Sequence, residues 1–258
     1  MARTALVTGS ASGIGKATAA VLAGRGYSVI GADLHGADVN ADLSSASGRE
    51  QLVQEAERLS GGKLDAVLAI AGLAIPNAPT VAVNYFGMVS TLTGLRPLLA
   101  RSDAPRAAGV ASMASLMPTD DDLVASMTSW DENAAMARAA ALEGTEGDQL
   151  IYSSTKKAFA QWIRRSAPTE EWAGEGIALN AVAPGVIDTP MTADYLATEE
   201  ARQELLKMVP MPLNGIAEPE VVARLLAWLV SEENSHLCGQ VVFVDGGSDA
   251  VIRGDSTW

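Results

Sequence analysis

The sequence predicts an α/β protein in which one doubly wound parallel sheet carries helices on both faces. Short apolar segments of strand length alternate with amphipathic segments of helical length along the chain. A glycine cluster at residues 9–15 separates the first strand from the first helix. The 258 residues, 48% of them hydrophobic and 19% charged, suffice for one large core. We therefore expect a three-layer, Rossmann-like sandwich that forms a single domain over residues 1–258.

Six segments are predicted to be strands, because each is a short apolar run bounded by glycine, proline or polar turn residues. They are residues 4–8, 28–33, 65–70, 107–112, 177–183 and 240–244. Nearly all of their side chains are apolar, which is typical of strands that are buried on both faces of a parallel sheet.

Five segments between these strands have the length and the apolar spacing of helices. They are residues 14–23, 47–59, 80–99, 152–167 and 219–230. Gly24 follows the first, and Gly61-Gly62 come one residue after the second, as is common at the ends of helices. Pro219 stands at the first position of the last one, where proline is well tolerated.

Two segments interrupt this alternation. Residues 118–149 are acidic and alanine-rich, and we expect them to form an insertion before the helix at 152, with a helix of its own over about 131–142. Residues 191–213 are rich in methionine and leucine, and a helical excursion is predicted over 191–211. The chain has neither internal repeats nor a linker-like stretch, which supports the single-domain prediction.

The composition of the chain excludes several classes of binding partner. A net charge of −13 repels nucleic acid and anionic membrane surfaces. The single cysteine, Cys238, cannot form an intrachain disulfide. No apolar run approaches the roughly 20 residues of a membrane span, and the first residues do not have the pattern of a signal peptide. We expect a soluble, cytoplasmic protein that acts on a small molecule.

The turn after the first strand reads TGSASGIG at residues 8–15. Such a turn lets a dinucleotide pyrophosphate approach backbone amides and the positive end of a helix dipole. A P-loop would need glycine instead of Ser10 and a hydroxyl residue instead of Ala17, and Thr18 breaks the G-x-G-x-x-G fingerprint that starts at Gly13. The remaining spacing is G-x-x-x-G-x-G, for which an ordinary glycine-rich turn is the alternative interpretation.

Asp33 ends the second predicted strand, where a carboxylate can accept hydrogen bonds from the adenosine ribose hydroxyls. The same charge would repel the 2′-phosphate of NADP, and residues 34–37 contain neither Lys nor Arg. NAD is therefore the predicted cofactor and NADP is disfavoured. Asp42 lies further along, followed by Leu43, and its side chain could bind the adenine amino group.

Tyr152 and Lys156 are four residues apart on a predicted helix, so both side chains lie on one face. A phenol has a reference pKa near 10, and we expect a nearby ammonium to lower that pKa. Tyr152 could then exchange a proton with a carbonyl or alcohol oxygen at neutral pH. The alternative is that Tyr152 is an interfacial tyrosine and Lys156 a solvated lysine. Lys157, one residue further on, is itself expected to be solvated.

No metal site is predicted. His35 and His236 lack neighbouring cysteine or carboxylate ligands at metal-binding spacing. The aspartates at residues 120–122 lack the glycine and the distal glutamate of an EF-hand loop. We interpret them as a solvated loop.

Taken in order, these motifs and three others resemble the classical short-chain dehydrogenase/reductase family over essentially the whole chain. The others are Asn84, Ser112 and the Pro184-Gly185 pair. Several stretches are similar to the bacterial 3α-hydroxysteroid dehydrogenase/carbonyl reductases within it. They are residues 41–44, 83–87, 174–177, 245–247 and 249–253.

The resemblance implies a role for each matching position. Ser112 would hydrogen-bond the substrate oxygen, with Ser115 as its rival, and Asn84 would hold a water in a proton relay to Lys156. Lys156 would also bind the nicotinamide ribose. The implied catalytic residues are Asn84, Ser112, Tyr152 and Lys156. The implied cofactor contacts are Gly9, Ser12, Gly13, Ile14, Gly15, Asp33, Asp42, Leu43, Ala71, Gly72, Tyr152, Lys156, Pro184, Gly185, Ile187 and Thr189.

The expected activity is NAD-dependent interconversion of a secondary alcohol and a ketone, on a hydroxysteroid or another bulky alicyclic substrate. The methionine-rich segment at 191–213 would cover this substrate, because methionine adapts to irregular apolar shapes. Reduction of another substrate class, such as 3-oxoacyl thioesters, and a non-catalytic NAD-binding protein are the alternatives.

Two departures from the family pattern bear on the site and on the assembly. The segment after the third strand is Ala69-Ile70-Ala71-Gly72, where the family usually has Asn-Asn-Ala-Gly. The long segment between Ser112 and Tyr152 could block or replace the interface that the family usually builds from these helices. A homodimer or homotetramer is still expected.

Overall fold

The computed structural model describes residues 2–256 and contains one seven-stranded sheet in which every pairing is parallel. The strands are β1 (Thr4–Thr8), β2 (Ser28–Asp33), β3 (Val39–Asn40), β4 (Ala66–Ala69), β5 (Arg106–Val110), β6 (Ala178–Pro184) and β7 (Val241–Val244). Their order across the sheet is β3-β2-β1-β4-β5-β6-β7. The six predicted strands are confirmed, and the two-residue strand β3 is an addition too short to leave a periodic signal.

In the described part of the chain, ten α-helices connect and cover the strands. They are α1 (Gly13–Gly24), α2 (Ala46–Ser60), α3 (Ala78–Val81), α4 (Met88–Leu99), α5 (Asp121–Thr128), α6 (Glu132–Leu142), α7 (Leu150–Ser166), α8 (Glu199–Met208), α9 (Pro219–Leu229) and α10 (Ser248–Arg253). Helices α1 and α9 pack on one face of the sheet, and α2, α4 and α7 pack on the other. Alternate residues of one strand serve opposite faces, as Leu6 does between Ala5 and Val7 in β1. The predicted three-layer sandwich is confirmed.

The chain reverses its direction of travel across the sheet after β3. It runs outward from β1 to β3, returns to β4 on the other side of β1, and then continues outward to β7. The loops after β1 and β4 therefore diverge and leave a crevice between them. In doubly wound sheets, ligands bind at the carboxyl ends of the strands at this switch point.

The helix predicted over 80–99 is present, but its first half does not have α-helical geometry throughout. A π-helical turn, Ala82–Gly87, joins α3 to α4, and Pro97 is accommodated inside α4. The extra residue of a π-turn rotates the following side chains, and such turns are frequent at functional sites. It carries Asn84, whose side chain is fully buried.

The predicted insertion contains two helices, α5 and α6, of which only α6 was expected. Asp120 and Asp131 cap their N-termini by accepting hydrogen bonds from Leu123 N and Ala134 N. Both helices bury apolar side chains in the core layer that contains α4 and α7. Trp130, in the turn between them, packs against Phe86 with ring centroids 5.1 Å apart.

The helical excursion predicted over 191–211 is shorter and more broken than expected. It consists of a 3₁₀ turn, Ala193–Leu196, followed by α8, which has no buried residue. Two further short segments were not predicted, a 3₁₀ turn at Met113–Leu116 and a π-helical turn at Glu170–Gly174. Within residues 2–256, none of the helices combines the length and the apolar character needed to cross a bilayer.

Candidate active site

A cleft of about 600 Å³ opens at the carboxyl ends of β1, β2, β4, β5 and β6. Every implied site residue except Asn84 lines it. The cleft also contains residues that sequence reasoning did not select. These are Ala32, Leu34, Ala41, Ser44, Leu52, Ile70, Leu73, Pro79, Val83, Val110, Ala111 and Pro190. Most are apolar neighbours of selected residues, and only their position beside strand ends could have indicated them.

The glycine turn closes one end of the cleft, and its close packing requires glycine. A Cβ atom on Gly15 would lie 2.0 Å from the Gly9 carbonyl oxygen, and Gly13 has a φ of +49°. Ser12 stands at the N-cap of α1 but makes no side-chain capping bond. The first amides of α1 therefore remain available, with the helix dipole, for an anionic group such as a pyrophosphate.

Asp33 lies beside this turn and fixes it. One carboxylate oxygen accepts a hydrogen bond from Ala11 N at 3.0 Å, and the other accepts one from Leu34 N at 2.7 Å. Each oxygen retains a further lone pair, which a ribose hydroxyl can use. Among residues 2–256, Lys156 is the only cationic side chain that lines the cleft, so none of these residues places a basic group beside Asp33 to receive a 2′-phosphate.

Asp42 is exposed at the edge of the cleft, and Ser44 holds its carboxylate in place through hydrogen bonds. Its Oδ1 accepts hydrogen bonds from Ser44 Oγ at 2.6 Å and from Ser44 N at 2.9 Å. These bonds lower the pKa of the Asp42 carboxyl, the hydroxyl bond contributing most. The carboxylate is thus held ionised, with Oδ2 available to accept from an amino group.

Thr8 is a residue that the sequence analysis did not assign to the site. Its hydroxyl accepts hydrogen bonds from Ile70 N at 2.9 Å and from Ala71 N at 3.1 Å, although it is buried at the end of β1. The loop after β4 is therefore tied to the glycine turn by backbone amides. These bonds use backbone amides, so they do not depend on which side chains stand at positions 70 and 71.

Asn84 lies behind the cleft wall and does not line the cleft. Its Oδ1 accepts from Leu73 N at 2.8 Å, while its Nδ2 donates to Leu73 O at 2.8 Å and to Thr155 Oγ1 at 3.3 Å. Protein groups thus occupy both ends of the side-chain amide. Through these bonds the Asn84 side chain joins the loop after β4 to α7. Because both ends of its amide are bonded to protein groups, the side chain gives no direct support to the implied role of holding a water.

Lys156 is almost fully buried and reaches back to the sheet. Its Nζ donates to Val110 O at 2.9 Å and lies 5.6 Å from the centre of the Tyr152 ring. Burial lowers the pKa of Lys156 to about 8. At neutral pH the ammonium still predominates, but with a proton that is much less tightly held than in solution.

The expectation of a lowered phenol pKa at Tyr152 is wrong for the polypeptide alone. Burial raises the pKa of the Tyr152 phenol, and a hydrogen bond with the Ser112 hydroxyl offsets part of that rise. Desolvation of a phenolate outweighs this bond because the site has little water to stabilise the negative charge. Tyr152 is therefore a protonated donor at neutral pH.

Ser112 is located two residues beyond the end of β5, where its hydroxyl lines the cleft. The same oxygen caps the following 3₁₀ turn by accepting from Ala114 N at 3.1 Å. Ser115 faces away from the cleft and lines a separate depression beside Lys157. This placement favours Ser112 over its rival.

The segment after β6 forms a further wall of the cleft and contacts the glycine turn. Thr192 Oγ1 donates to Ile187 O at 2.6 Å, and Asp188 N donates to Ala217 O at 2.9 Å. These bonds place Thr189 against the glycine turn, with its methyl group 3.3 Å from where a Cβ on Gly13 would lie.

Of the three methionines predicted to cover the substrate, Met191 lines the cleft and is 43% exposed. Met208 is 65% exposed on α8 and lies outside the cleft. Met211 is buried, and its sulfur accepts a hydrogen bond from Val186 N at 3.2 Å. Met211 thus supports the wall from behind, because its thioether packs where Gly185 leaves space.

Residues 2–256 contain no group of three or more histidine, cysteine, aspartate or glutamate side chains that could hold a metal ion. Cys238 is half-buried and directs its sulfur to Ala167 O at 3.3 Å.

Comparison with known proteins places the chain among oxidoreductases. The sequence model of a family described as Enoyl-(Acyl carrier protein) reductase matches residues 9–249. A 3-alpha-hydroxysteroid dehydrogenase/carbonyl reductase of Comamonas testosteroni is 32% identical over 96% of this chain and 97% of its own length. A cis-4-hydroxycyclohexanecarboxylate dehydrogenase of Sinomonas cyclohexanicum is 33% identical over 96% and 97%. The crystal structure of a 3-alpha-hydroxysteroid dehydrogenase from Pseudomonas sp. B-0831, complexed with NADH, has a TM-score of 0.89 and 38% identity over 98% and 99%.

Proposed function

This chain belongs to the short-chain dehydrogenase/reductase family, and from that premise we propose that it interconverts a bulky alicyclic secondary alcohol and the corresponding ketone with NAD(H). A hydroxysteroid is the substrate class we favour. The observation that carries the proposal is the meeting of Tyr152, Lys156 and Ser112 in one cleft with the glycine turn and Asp33.

The cleft fits a dinucleotide. The turn at Gly13 and Gly15 leaves space that a larger side chain would fill. The free amides of α1 can bind a pyrophosphate, and Asp33 can accept hydrogen bonds from the ribose hydroxyls. NAD(H) supplies or accepts the hydride when bound. Thr189 and the Ile187 backbone would hold its carboxamide, and Lys156 its second ribose.

The protein residues handle the proton. Tyr152 donates its hydroxyl proton to the substrate oxygen during reduction and accepts it back during oxidation. The Ser112 hydroxyl holds that oxygen in place, and the Lys156 ammonium stabilises the phenolate that forms on Tyr152. Asn84 joins the loop after β4 to α7, which carries Tyr152 and Lys156, and Thr8 ties the same loop to the end of β1.

The part of the cleft around Tyr152 suits a neutral, apolar substrate. The charged residues that line the whole cleft are Asp33, Asp42 and Lys156, which all belong to the proposed cofactor-binding part or to its border. Leu73, Pro190 and Met191 provide apolar surface, to which a fused ring system can bind by burial of hydrocarbon.

The proposal is tested by mixing the purified protein with NAD or NADP and a panel of hydroxysteroids, cyclic alcohols and their ketones, with absorbance of the reduced cofactor as the readout. We expect turnover with NAD on an alicyclic substrate. Tyr152→Phe should reduce kcat at least a hundredfold, while Tyr27→Phe, whose hydroxyl donates to Val230 O outside the cleft, should leave kcat unchanged. Near-normal activity of Tyr152→Phe would refute the mechanism.

A second candidate activity is reduction of an acyl group carried on an acidic partner protein. It is favoured by a depression of about 410 Å³ on the outer side of α7, whose charged lining residues are all basic: Lys157, Arg164, Arg165 and Arg253. In a chain with a net charge of −13, this is an unusual concentration of positive charge. A 3-oxoacyl thioester added to the same panel decides between the two activities.

We also propose that the chain forms a homodimer or homotetramer. Helices α5 and α6 cover the outer surface next to the π-helical turn and α7, so subunits would meet elsewhere, for example along the edge strand β7. Sedimentation analysis at several concentrations gives the assembly mass, and a monomer at all concentrations would refute this part.

A further inference from the structure

The residues between Tyr152 and Lys156 are all engaged, although the sequence analysis assigned them no role. Ser153, Ser154 and Thr155 are between 0% and 4% exposed, and each side chain makes a hydrogen bond to another segment of the protein. A helical turn whose three spacer residues all contact other elements has little freedom to move.

Two of these bonds connect the turn to the start of the insertion. Ser153 Oγ donates to Pro118 O at 2.6 Å, and Ser154 Oγ accepts from Asp120 N at 2.9 Å. Lys157, predicted to be solvated, instead donates from Nζ to Thr119 Oγ1 at 3.0 Å. Residues 118–120 therefore bind α7 through three consecutive positions, and we name them the strap.

The insertion holds the strap in turn. Asp120 caps α5 by accepting from Leu123 N at 2.8 Å, and it forms a two-point ion pair with Arg138 of α6. Arg138 lowers the pKa of the Asp120 carboxyl by donating to it. The strap is thus fixed at its far end by both helices of the insertion.

The opposite side of the same turn is fixed by the π-helical segment. Thr155 Oγ1 accepts from Asn84 Nδ2 at 3.3 Å and donates to Tyr152 O at 2.7 Å. Asn84 also holds Leu73 in the loop after β4. The turn that carries Tyr152 and Lys156 is therefore held between the nucleotide-side loop and the insertion.

We propose that Ser154 is a positioning residue through which the insertion sets the placement of Tyr152 and Lys156. The inference rests on the proposed roles of those two residues. Ser154 does not line the cleft, so its effect on Tyr152 and Lys156 passes through the backbone of α7. Catalytic groups lose efficiency when they are displaced by as little as about 1 Å, which makes a loosened turn measurable.

The test compares Ser154→Ala with Ser126→Ala. Ser126 is a matched control, because its hydroxyl also belongs to the insertion but donates to Asp122 O within α5. The readouts are kcat and KM for oxidation, with NAD, of the panel alcohol that the wild type turns over fastest, the pH profile of kcat, and ultraviolet difference titration of the Tyr152 phenol. Subtracting the spectrum of the same protein with Tyr152→Phe isolates that phenol, which is buried, is hydrogen-bonded to Ser112 and has Lys156 Nζ 5.6 Å from the centre of its ring.

Ser154→Ala should lower kcat about tenfold with KM changed less than about twofold, and the titration midpoint of Tyr152 should shift. Ser126→Ala should match the wild type. If Ser154→Ala only lowers the melting temperature, with kcat and the Tyr152 titration unchanged, the positioning role is refuted.

The two proposals can fail separately. If the wild type oxidises no alcohol in the panel, the activity proposal fails while the phenol titration of the two variants still decides the positioning proposal. If Ser154→Ala does not fold, Ser153→Ala removes the neighbouring bond to Pro118 and is judged by the same readouts and outcomes.

Discussion

At the scale of single residues, the cleft holds a lysine whose burial is costly to the folded protein. Lys156 is 4% exposed, and its hydrogen-bond partner is the neutral carbonyl of Val110. Burying an ammonium next to a neutral acceptor costs free energy, and the rest of the fold must offset that cost. Such local cost is common where a group must be able to change its charge during a reaction.

This burial predicts a pH-dependent stability. The pKa of Lys156 is about 8 in the folded protein, below the 10.5 of an unfolded chain. Between these values the unfolded state binds more protons, so the wild type should become more stable relative to Lys156→Met as pH rises from 8 to 10.5. The gain is on the order of 3 kcal/mol. Urea unfolding at both ends of this range measures it, and parallel pH curves for the two proteins would contradict it.

Asp33 should control cofactor preference. Asp33→Asn removes the charge but keeps an acceptor for Ala11 N, so the turn should persist. We expect NADH affinity to fall about tenfold and NADPH affinity to rise, because a charged acceptor contributes more than a neutral one. Fluorescence titration with both cofactors measures this. Asp38→Asn is the control, a carboxylate that holds Gly31 N from outside the cleft, and tighter NADPH than NADH binding by the wild type would refute the assignment.

Sequence reasoning located the chemical groups of the cleft well but not their energetics. Gly15, Asp33 and Tyr152 could be identified because short-range spacing expresses what they do. The environment of Asn84 and the raised pKa of Tyr152 depend on segments distant in sequence, such as Leu73 and Ser112. No local pattern records those contacts.

At the scale of elements, the glycine turn and the helix that follows it give a matched pair of substitutions. Gly15→Ala would place Cβ 2.0 Å from Gly9 O, whereas a Cβ on Gly24 meets no atom within 4 Å. Gly15→Ala should therefore destabilise the protein by about 2–3 kcal/mol and abolish cofactor binding. Gly24→Ala, at the end of the same helix, should leave binding intact and change stability by at most about 1 kcal/mol.

Calorimetric melting with and without NADH distinguishes these outcomes. An NADH-dependent rise in melting temperature for Gly15→Ala equal to that of the wild type would show that the turn does not bind the dinucleotide.

Two elements show why the spacing of apolar residues did not predict every helical segment correctly. The π-helical turn at Ala82–Gly87 has the same apolar spacing as an α-helix at the sequence level, because one extra residue per turn shifts the pattern only locally. Helix α5 is eight residues long and begins among aspartates, which the sequence analysis interpreted as a solvated loop. Those aspartates cap and start the helix, with Asp120 as the N-cap.

At the scale of the whole molecule, the insertion is joined to the sheet layers by one prominent ion pair. Arg49 of α2 is 8% exposed and binds Glu132 of α6 through both guanidinium nitrogens. Glu132→Ala leaves that cation buried without its carboxylate. We expect a loss of about 1–2 kcal/mol, since the glutamate itself is partly solvated.

The measurement is the urea midpoint together with proteolysis of the insertion. Glu143→Ala, an exposed residue after α6, is the control and should leave both unchanged. Equal midpoints for the two variants would show that the pair does not hold the insertion.

The position of β5 in the sheet has a consequence for synthesis on the ribosome. Its two neighbours are β4, which precedes it, and β6, which emerges only after the insertion and α7 have been made. Until then, the nascent chain carries a hydrophobic strand with one open edge. Chains that stop between residues 110 and 178 should therefore aggregate or recruit chaperones, and a slow codon run in that interval would prolong their exposure.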